Sequence, residues 1–210
     1  MLWDKLEVTR HRGKLPNEEV FVREVNRVTA EAFGFAVPLE ETFDHLAESN
    51  LGHFVSVAES GHQRLIAYAL NDLFNINHKD QLRVNYFSSA FILPEAQRDF
   101  ALYKMLGTLR LMRNEDMVMV RTQSPIVMTF FAWLCEFTRK RMITHLNRSR
   151  PPQVDAAIEH KFGTTDMVHP GAYGRCLTGE PIKPKTVLTR QLSEQIDVTA
   201  GDAIILVGIR

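Results

Sequence analysis

The stretch LRVNYFSSAFIL, residues 82–93, restricts the fold more than any other feature of this chain. Its β-branched and aromatic residues are typical of a strand, and Pro94 ends the run because proline donates no hydrogen bond to a sheet. An apolar stripe at helical spacing follows at once, formed by Ala101, Met105, Leu109 and Met112. The next run, MVMVRTQ, is again strand-like, and a strand, a helix and a strand in succession indicate a parallel pair.

The elements around this stretch predict the fold class. Two helices come first, NEEVFVREVNRVTAEAFG with Asn17 as N-cap and Gly34 as its end, and PLEETFDHLAESN beginning at Pro38. The runs HFVSVAE and RLIAYALNDLF then indicate a hairpin, and Ser124 and Pro125 begin a further helix, IVMTFFAWLCEF. Later, QVDAAIEHKFG predicts a short helix, while YGRCLTG and AIILVGIR predict strands. The sequence therefore predicts a mixed α/β (α+β) fold with a central, mostly antiparallel sheet flanked by helices.

Composition limits the class of protein. With 210 residues and 45% hydrophobic content, the chain is expected to form a single domain over residues 1–210. Acidic and basic residues balance at 25 each, so the net charge favours neither nucleic acid nor an anionic membrane as a partner. The two cysteines, Cys135 and Cys176, are expected to be reduced thiols. The charged N-terminus and the lack of a long apolar run predict a soluble cytoplasmic protein.

Two short motifs, taken with the order of elements, resemble the GCN5-related N-acetyltransferases (GNAT). In that family the fourth strand leads into a turn and helix with Arg or Gln, two residues, Gly, one residue, then Gly or Ala. The segment PEAQRDFAL aligns without a gap, with Gln97 at the first position but Phe100 and Leu102 in place of the small residues. The family's Asn-Pro after the next strand corresponds to Ser124-Pro125. The resemblance is strongest over residues 17–137, and residues 138–210 fit it loosely.

The resemblance implies acetyl-CoA as the co-substrate. The free N–H groups at the start of the helix would bind the pyrophosphate whatever side chains they carry. The backbone N–H of Ala90 would polarise the thioester carbonyl, and its neighbours would pair with the pantetheine as an added strand does. The implied cofactor-binding residues are Ala90, Phe91, Ile92, Gln97, Arg98, Asp99, Phe100, Ala101, Leu102 and Ser124. A plain helix start with a polar first turn explains EAQRDF equally simply.

The candidate catalytic residues are Tyr86 and Ser88, which share one face of the strand, and Gln123 on the next strand. Each also has an ordinary structural explanation, as a core tyrosine or a polar strand position. Where many family members carry a tyrosine that protonates the leaving thiolate, this chain has Phe131. Because this face offers hydroxyls and an amide but no carboxylate, the sequence predicts a neutral or weakly basic acceptor.

Two functions remain open on the sequence alone, and an acyl donor other than acetyl-CoA is a third possibility. The first is an acyl-CoA-dependent N-acyltransferase that modifies a small-molecule or peptide amine. The second is a degenerate relative that binds acyl-CoA, or only a protein partner, as a sensor or interaction module; Phe100, Leu102 and Phe131 favour it. No metal site is expected, because no histidine pair has helical i, i+4 spacing. The basic cluster Arg139, Lys140, Arg141, Arg148 and Arg150 is either a solvated surface or a phosphate contact, and a homodimer is left open.

Overall fold

A computed structural model describes residues 6–59, 62–78, 80–96 and 114–210. Up to residue 96 the described elements are β1 Leu6–Arg12, α1 Glu19–Phe33, α2 Leu39–Ala47, β2 Leu51–Glu59, β3 His62–His78, β4 Asp80–Ile92 and a 3₁₀ turn at Pro94–Ala96. From residue 114 onward they are β5 Met117–Thr122, α3 Pro125–Phe137, β6 Arg141–Ile143, α4 Pro152–Phe162, β7 Val168–His169, α5 Val187–Ser193 and β8 Ala203–Ile209.

The strands are hydrogen-bonded in the order β1-β2-β3-β4-β5-β8-β6, and β7 also pairs with β8. The pairs β1–β2 and β2–β3 are antiparallel, with a register shift between Val55 and Ser56. β8 is antiparallel to β5, β6 and β7, and Arg121 lies opposite Ile205. This is the mixed α/β fold, with a mostly antiparallel sheet and flanking helices, that the sequence predicts.

The described residues form two compact units. The first comprises the chain up to residue 73 together with 87–96, and the second comprises 74–86 and 114–210. In the first unit, α1 buries Val22, Val25 and Val28 at helical spacing against apolar residues of β2 and β3. In the second unit, residues of β5 and β8 form a core with Val154, Ala157 and Ile158 of α4. Whether the chain is one domain, as the sequence predicts, stays a prediction.

The ends of the helices agree with the sequence patterns in most cases. Gly34 ends α1 in the left-handed conformation at φ 77°, and its N–H donates to Ala30 O. Gly163 ends α4 in the same way at φ 71°. α3 begins at Pro125 with Ser124 as its N-cap, as predicted. The prediction of Asn17 as N-cap of α1 is wrong, because the N-cap is Glu18 and no side chain caps it.

The structure differs from the sequence prediction at several segments. The strand β1 was not predicted, since LEVTRHR is rich in charge, yet its whole length pairs with β2. The strand predicted over RLIAYALNDLF does not end at Phe74, because β3 continues through the polar segment NINH. The predicted strand YGRCLTG is wrong: these residues form turns, because their main chain is bonded to side chains and loops rather than to a strand. The unpredicted helix α5 begins at a capping box in which Thr186 and Thr189 exchange side-chain and backbone hydrogen bonds.

Both cysteines are free thiols, as predicted, with Cys135 buried and Cys176 half-buried. Burial raises the pKa of Cys135 to about 12, with Lys140 opposing this shift. Among the helices that the structure describes, none combines the length and hydropathy that crossing a bilayer requires.

Candidate functional site

Tyr86 lies in β4 and is buried in the core of the second unit, with 5% of its surface exposed. Its ring meets the edge of Phe162 at a centroid distance of 5.3 Å. The Lys161 ammonium lies 5.0 Å from the centre of the same ring, within cation–π distance. These two contacts fix the position of the Tyr86 ring.

Ser88, two residues further along β4, belongs to the first unit and is half-buried. Its hydroxyl donates to the carbonyl oxygen of Leu70 at 3.0 Å and lies 3.1 Å from the hydroxyl of Ser49. Because the Ser88 proton is used for Leu70, Ser49 is the donor in the second contact. Ser88 can therefore contact a further group only by accepting a hydrogen bond.

The end of β4 packs into the first unit. Ala90, Phe91 and Ile92 pack against the core of the first unit, and the Phe91 ring meets Phe33 edge-on at 4.8 Å. The predicted coenzyme contacts Gln97, Arg98, Asp99, Phe100, Ala101 and Leu102 lie outside the described residues. Of the predicted cofactor-binding residues, the described part of the chain contains Ala90, Phe91, Ile92 and Ser124.

Gln123 follows the last residue of β5 and is buried, with 3% of its surface exposed. Its side-chain Nε2 donates to the carbonyl oxygen of Arg175 at 3.1 Å, and its Oε1 accepts the N–H of Leu177 at 2.9 Å. Both ends of the amide are thus bonded to the main chain of the segment after β7. In this position Gln123 anchors that segment to the end of β5.

The same segment is attached to the second unit at further points. The Tyr173 hydroxyl donates to the carbonyl oxygen of Arg121 at 2.8 Å, and the Tyr173 N–H donates to Gly201 O at 2.9 Å. The N–H of Gly171 donates to the Asp202 carboxylate at 2.8 Å. Burial raises the pKa of Tyr173, and Arg121 opposes this rise. Residues 171–177 are therefore held firmly beside the C-terminal end of β5.

Arg121 of β5 points to this segment and was not singled out by the sequence. Its guanidinium carbon lies 5.1 Å from the centre of the Phe162 ring and 5.3 Å from the centre of the Tyr173 ring. Its Nε is buried, and among the described residues it has no hydrogen-bond partner and takes part in no ion pair. Nothing in the spacing of the sequence brings positions 121, 162 and 173 together, so only the fold could reveal this arrangement.

The start of α3 has the local form that the sequence predicts. The N–H of Ser124 donates to the Thr122 hydroxyl at 2.9 Å, and the Ser124 carbonyl accepts the N–H of Met128 at 3.0 Å. The Ser124 side chain makes no capping bond. Phe131 lies on the buried side of α3, with 2% of its surface exposed, and offers no proton donor there.

A groove of about 600 Å³ lies beside the start of α3. Its walls include Pro125, Pro181, Ile182 and Pro184, and its carboxylates are Glu194 and Asp197. Hydrogen bonds from Thr199 and from the N–H of Ala200 lower the pKa of Asp197. Apolar walls with two acids suit an apolar or cationic group better than a phosphate.

The remaining charged groups give no further site. The described residues contain no set of three or more His, Cys, Asp or Glu side chains arranged to hold a metal ion. The predicted basic cluster is not continuous, because Lys140 is buried and Arg150 pairs with Asp155 at 2.8 Å. The cluster therefore does not form a single exposed phosphate-binding surface.

Comparison with known proteins identifies the fold. No protein-family model matches the sequence, and no curated protein matches it. Arabidopsis thaliana NAA60 bound to a bisubstrate analogue has a similar structure over 97% of this chain and 99% of its own, at 7% identity and a TM-score of 0.51. Chaetomium thermophilum Naa20, also with a bisubstrate analogue, matches over 97% of this chain and 86% of its own, at 12% identity and a TM-score of 0.50.

A partial match is also found with a probable N-acyltransferase from Enterococcus faecalis V583. It covers 60% of this chain and 31% of that one, at 13% identity and a TM-score of 0.45. The structural neighbours are N-acetyltransferases, and NAA60 has also been solved with acetyl-CoA. The chain therefore has the fold of the GCN5-related N-acetyltransferases, as the sequence motifs predict.

Proposed function

We propose that this chain is an acyl-CoA-dependent N-acyltransferase, with acetyl-CoA as donor and an amine of a small molecule or peptide as acceptor. The observation that carries the proposal is the fold likeness to NAA60 over 97% of the chain, since that protein was solved both with acetyl-CoA and with a bisubstrate analogue. The helix that begins at Ser124-Pro125 directly after β5 adds local support. A single domain, a cytoplasmic location and a homodimer remain predictions.

The reaction we propose is direct transfer. The neutral amine nitrogen attacks the thioester carbonyl carbon, the C–S bond breaks, and coenzyme A leaves as a thiolate while the amine loses a proton to water or a base. The Ala90 N–H would stabilise the oxyanion that forms on the carbonyl oxygen. The backbone through Ile92 would bind the pantetheine, and the N–H groups of residues 97–102 would bind the pyrophosphate.

The proposed catalytic residues are Tyr86, Ser88 and Gln123. A protonated phenol is a poor base, so water is the proton acceptor in this scheme. Ser88 retains acceptor lone pairs and can orient such a water. Gln123 would act through the segment it anchors, because both of its amide groups are already bonded to main chain.

The test is release of free coenzyme A from acetyl-CoA, followed with a thiol reagent, in the presence of a panel of amines. The proposal expects enzyme-dependent release that requires an amine, together with a product heavier by one acetyl group. Ser88→Ala should lower kcat with little change in the affinity for acetyl-CoA. Absence of both binding and transfer for acetyl-, propionyl- and longer acyl-CoA would remove the proposal.

A second function, acyl-CoA binding without transfer, is favoured by one observation. Phe131 occupies the position of the family's proton-donating tyrosine, and it is a buried hydrocarbon ring with 2% of its surface exposed. Without a donor, the coenzyme must leave as a thiolate that takes its proton from water. Saturable acetyl-CoA binding with no acetylated product from any amine would decide for this alternative.

A further inference from the structure

Arg121 is a cation that the protein holds in place without neutralising it. Its guanidinium is 5.1 Å from the Phe162 ring centre and 5.3 Å from the Tyr173 ring centre. Contacts with two rings orient the guanidinium plane, and aromatic rings bring no negative charge that would compensate it. In the part of the chain that is described, no carboxylate lies within ion-pair distance of Arg121.

Two basic side chains, His169 and Lys161, belong to the same aromatic cluster as Arg121 in the described part of the chain. His169 meets the edge of the Phe162 ring at 5.1 Å, and its Nε2 bonds to the carbonyl oxygen of Asp166 at 3.0 Å. Burial lowers the pKa of His169, and the charge of Arg121 lowers it further. Lys161 lies over the other aromatic neighbour of Phe162, Tyr86. Asp166, whose charge acts on His169, is exposed and does not pair with Arg121.

The rings around Arg121 are fixed before any ligand arrives. Tyr173 is bonded through its hydroxyl to Arg121 O and through its N–H to Gly201 O. Gln123 anchors the same segment at residues 175 and 177. Because the Arg121 side chain is already ordered, it loses little conformational entropy when an anion binds. A charged contact contributes to affinity under this condition.

We propose that Arg121, between Phe162 and Tyr173, binds a carboxylate of the acceptor. The guanidinium presents paired N–H donors whose spacing matches the two oxygens of a carboxylate. Arg121 is two residues before Gln123 and three before Ser124, so the subsite adjoins the strand end that the proposed function assigns to the reaction. The inference rests on the proposed N-acyltransferase function and narrows its acceptors to amines that carry a carboxylate.

The kinetic test compares pairs of acceptors that differ only in the negative charge of the carboxylate. Free α-amino acids, β-alanine, γ-aminobutyrate and dipeptides are each compared with their C-terminal amides, with acetyl-CoA as donor. The wild type should show a kcat/KM at least about tenfold higher for the preferred acid than for its amide, the value expected of one charged hydrogen-bonded contact. In Arg121→Met the acid-to-amide ratio of kcat/KM should fall to about one, mainly because KM for the acid rises. Arg121→Lys should restore part of the ratio.

Arg190→Met is the matched control, because it removes one exposed arginine of the same unit, on α5, and should leave the ratio unchanged. Equal rates for every acid and its amide, or an unchanged ratio in Arg121→Met, would overturn the inference while leaving the acyltransferase proposal intact. Loss of acetyl-CoA affinity in Arg121→Met would also overturn it, because the anion bound would then be a phosphate of the coenzyme.

A binding measurement decides the inference even if no transfer is found. N-acetylated members of the same acid panel are titrated at millimolar concentration while the His169 ring resonances are followed by NMR, with the matching amides as controls. Saturable shifts with acids, absent with amides and absent in Arg121→Met, support the subsite. Shifts that are equal for acids and amides, or no shift with any acid, contradict it, whereas failure of acetyl-CoA binding counts against the proposed function alone.

Discussion

Gln123 and Leu177 are joined by a hydrogen bond of 2.9 Å from the Leu177 N–H to the Gln123 Oε1. The other half of the amide donates to the carbonyl oxygen of Arg175 at 3.1 Å. One side chain at the end of β5 therefore satisfies two main-chain groups of a segment that lies 52 to 54 residues further along the chain. This makes the order of that segment depend on Gln123.

Replacing Gln123 by Leu should destabilise the protein by about 1–3 kcal/mol, because it leaves a donor and an acceptor of the main chain unsatisfied in a part-buried place. The exposed Gln191→Leu on the same unit should change stability by less than about 0.5 kcal/mol. Urea unfolding measures both. If Gln123→Leu abolished transfer at unchanged stability, Gln123 would contact the reacting groups rather than anchor the segment.

Lys140 carries an ammonium that is buried without a hydrogen-bond partner among the described residues, at 5% exposure. Burial lowers its pKa from 10.5, Arg210 adds to this shift, and Cys135, Asp116 and Glu115 oppose it. Lys140→Met should therefore stabilise the protein, by about 1–2 kcal/mol, because it removes a buried charge and keeps the apolar stem. Lys185→Met, at an exposed position, is the control.

The stability gained in Lys140→Met should depend on pH, and the sign of this dependence follows from the pKa of Lys140. Between the lowered pKa of folded Lys140 and its ordinary value of 10.5, the unfolded chain binds more protons than the folded chain. Wild-type stability should therefore rise with pH through this window relative to Lys140→Met, so that the advantage of the variant shrinks. An advantage independent of pH up to 10.5 would show that packing rather than charge is responsible.

Arg139 has a left-handed backbone, at φ 55°, just after α3. The N–H of Lys140 donates back to Cys135 O at 2.8 Å, which is the bond that closes a helix end whose usual residue is glycine. Arg139→Gly should relieve the strain and stabilise the protein by about 0.5–1 kcal/mol. Thermal unfolding checks this against Gly34→Ala, which places a side chain at φ 77° and should lower stability by a similar amount.

His53 is buried in β2, at 4% exposure, and burial together with the charge of Arg10 lowers its pKa from 6.5 to about 4. Because the unfolded chain takes up this proton near pH 6.5 and the folded chain only near pH 4, stability should fall as the pH falls through this range. His53→Leu should weaken that fall by the equivalent of about one proton, as urea midpoints at pH 7 and pH 5 would show. An unchanged fall in His53→Leu would contradict this assignment.

Local patterns in the sequence predict much of this fold. Gly34 ends α1 and Pro125 begins α3 as predicted, because each depends on the backbone of one or two residues. The strand β1 escapes prediction because its pairing with β2, rather than an apolar pattern, makes it a strand. The sequence predicts a strand at YGRCLTG, in the segment after β7. Its hydrogen-bond partners are a distant glutamine and loop atoms, and no local sequence pattern reveals such partners.

The candidate site is less predictable than the fold. Tyr86, Ser88 and Gln123 were identified by their places in strands, but the hydrogen bonds of Ser88 and Gln123 depend on residues 39 and 52 positions away. No sequence pattern indicates a role for Arg121, because its aromatic neighbours lie in α4 and in the segment after β7. A function that depends on such contacts can be read only from the folded chain.

Calorimetric titration of acetyl-CoA into the full chain, followed by analysis of the mixture for acetylated amine, decides whether this protein is an acyl-CoA-dependent N-acyltransferase. Such an enzyme should bind one acetyl-CoA per chain saturably and form an N-acetylated product once an acceptor amine is added. Heat of dilution alone for acetyl-CoA and longer acyl-CoA at millimolar concentration, with no product from any amine, would contradict this function and leave only the shared fold.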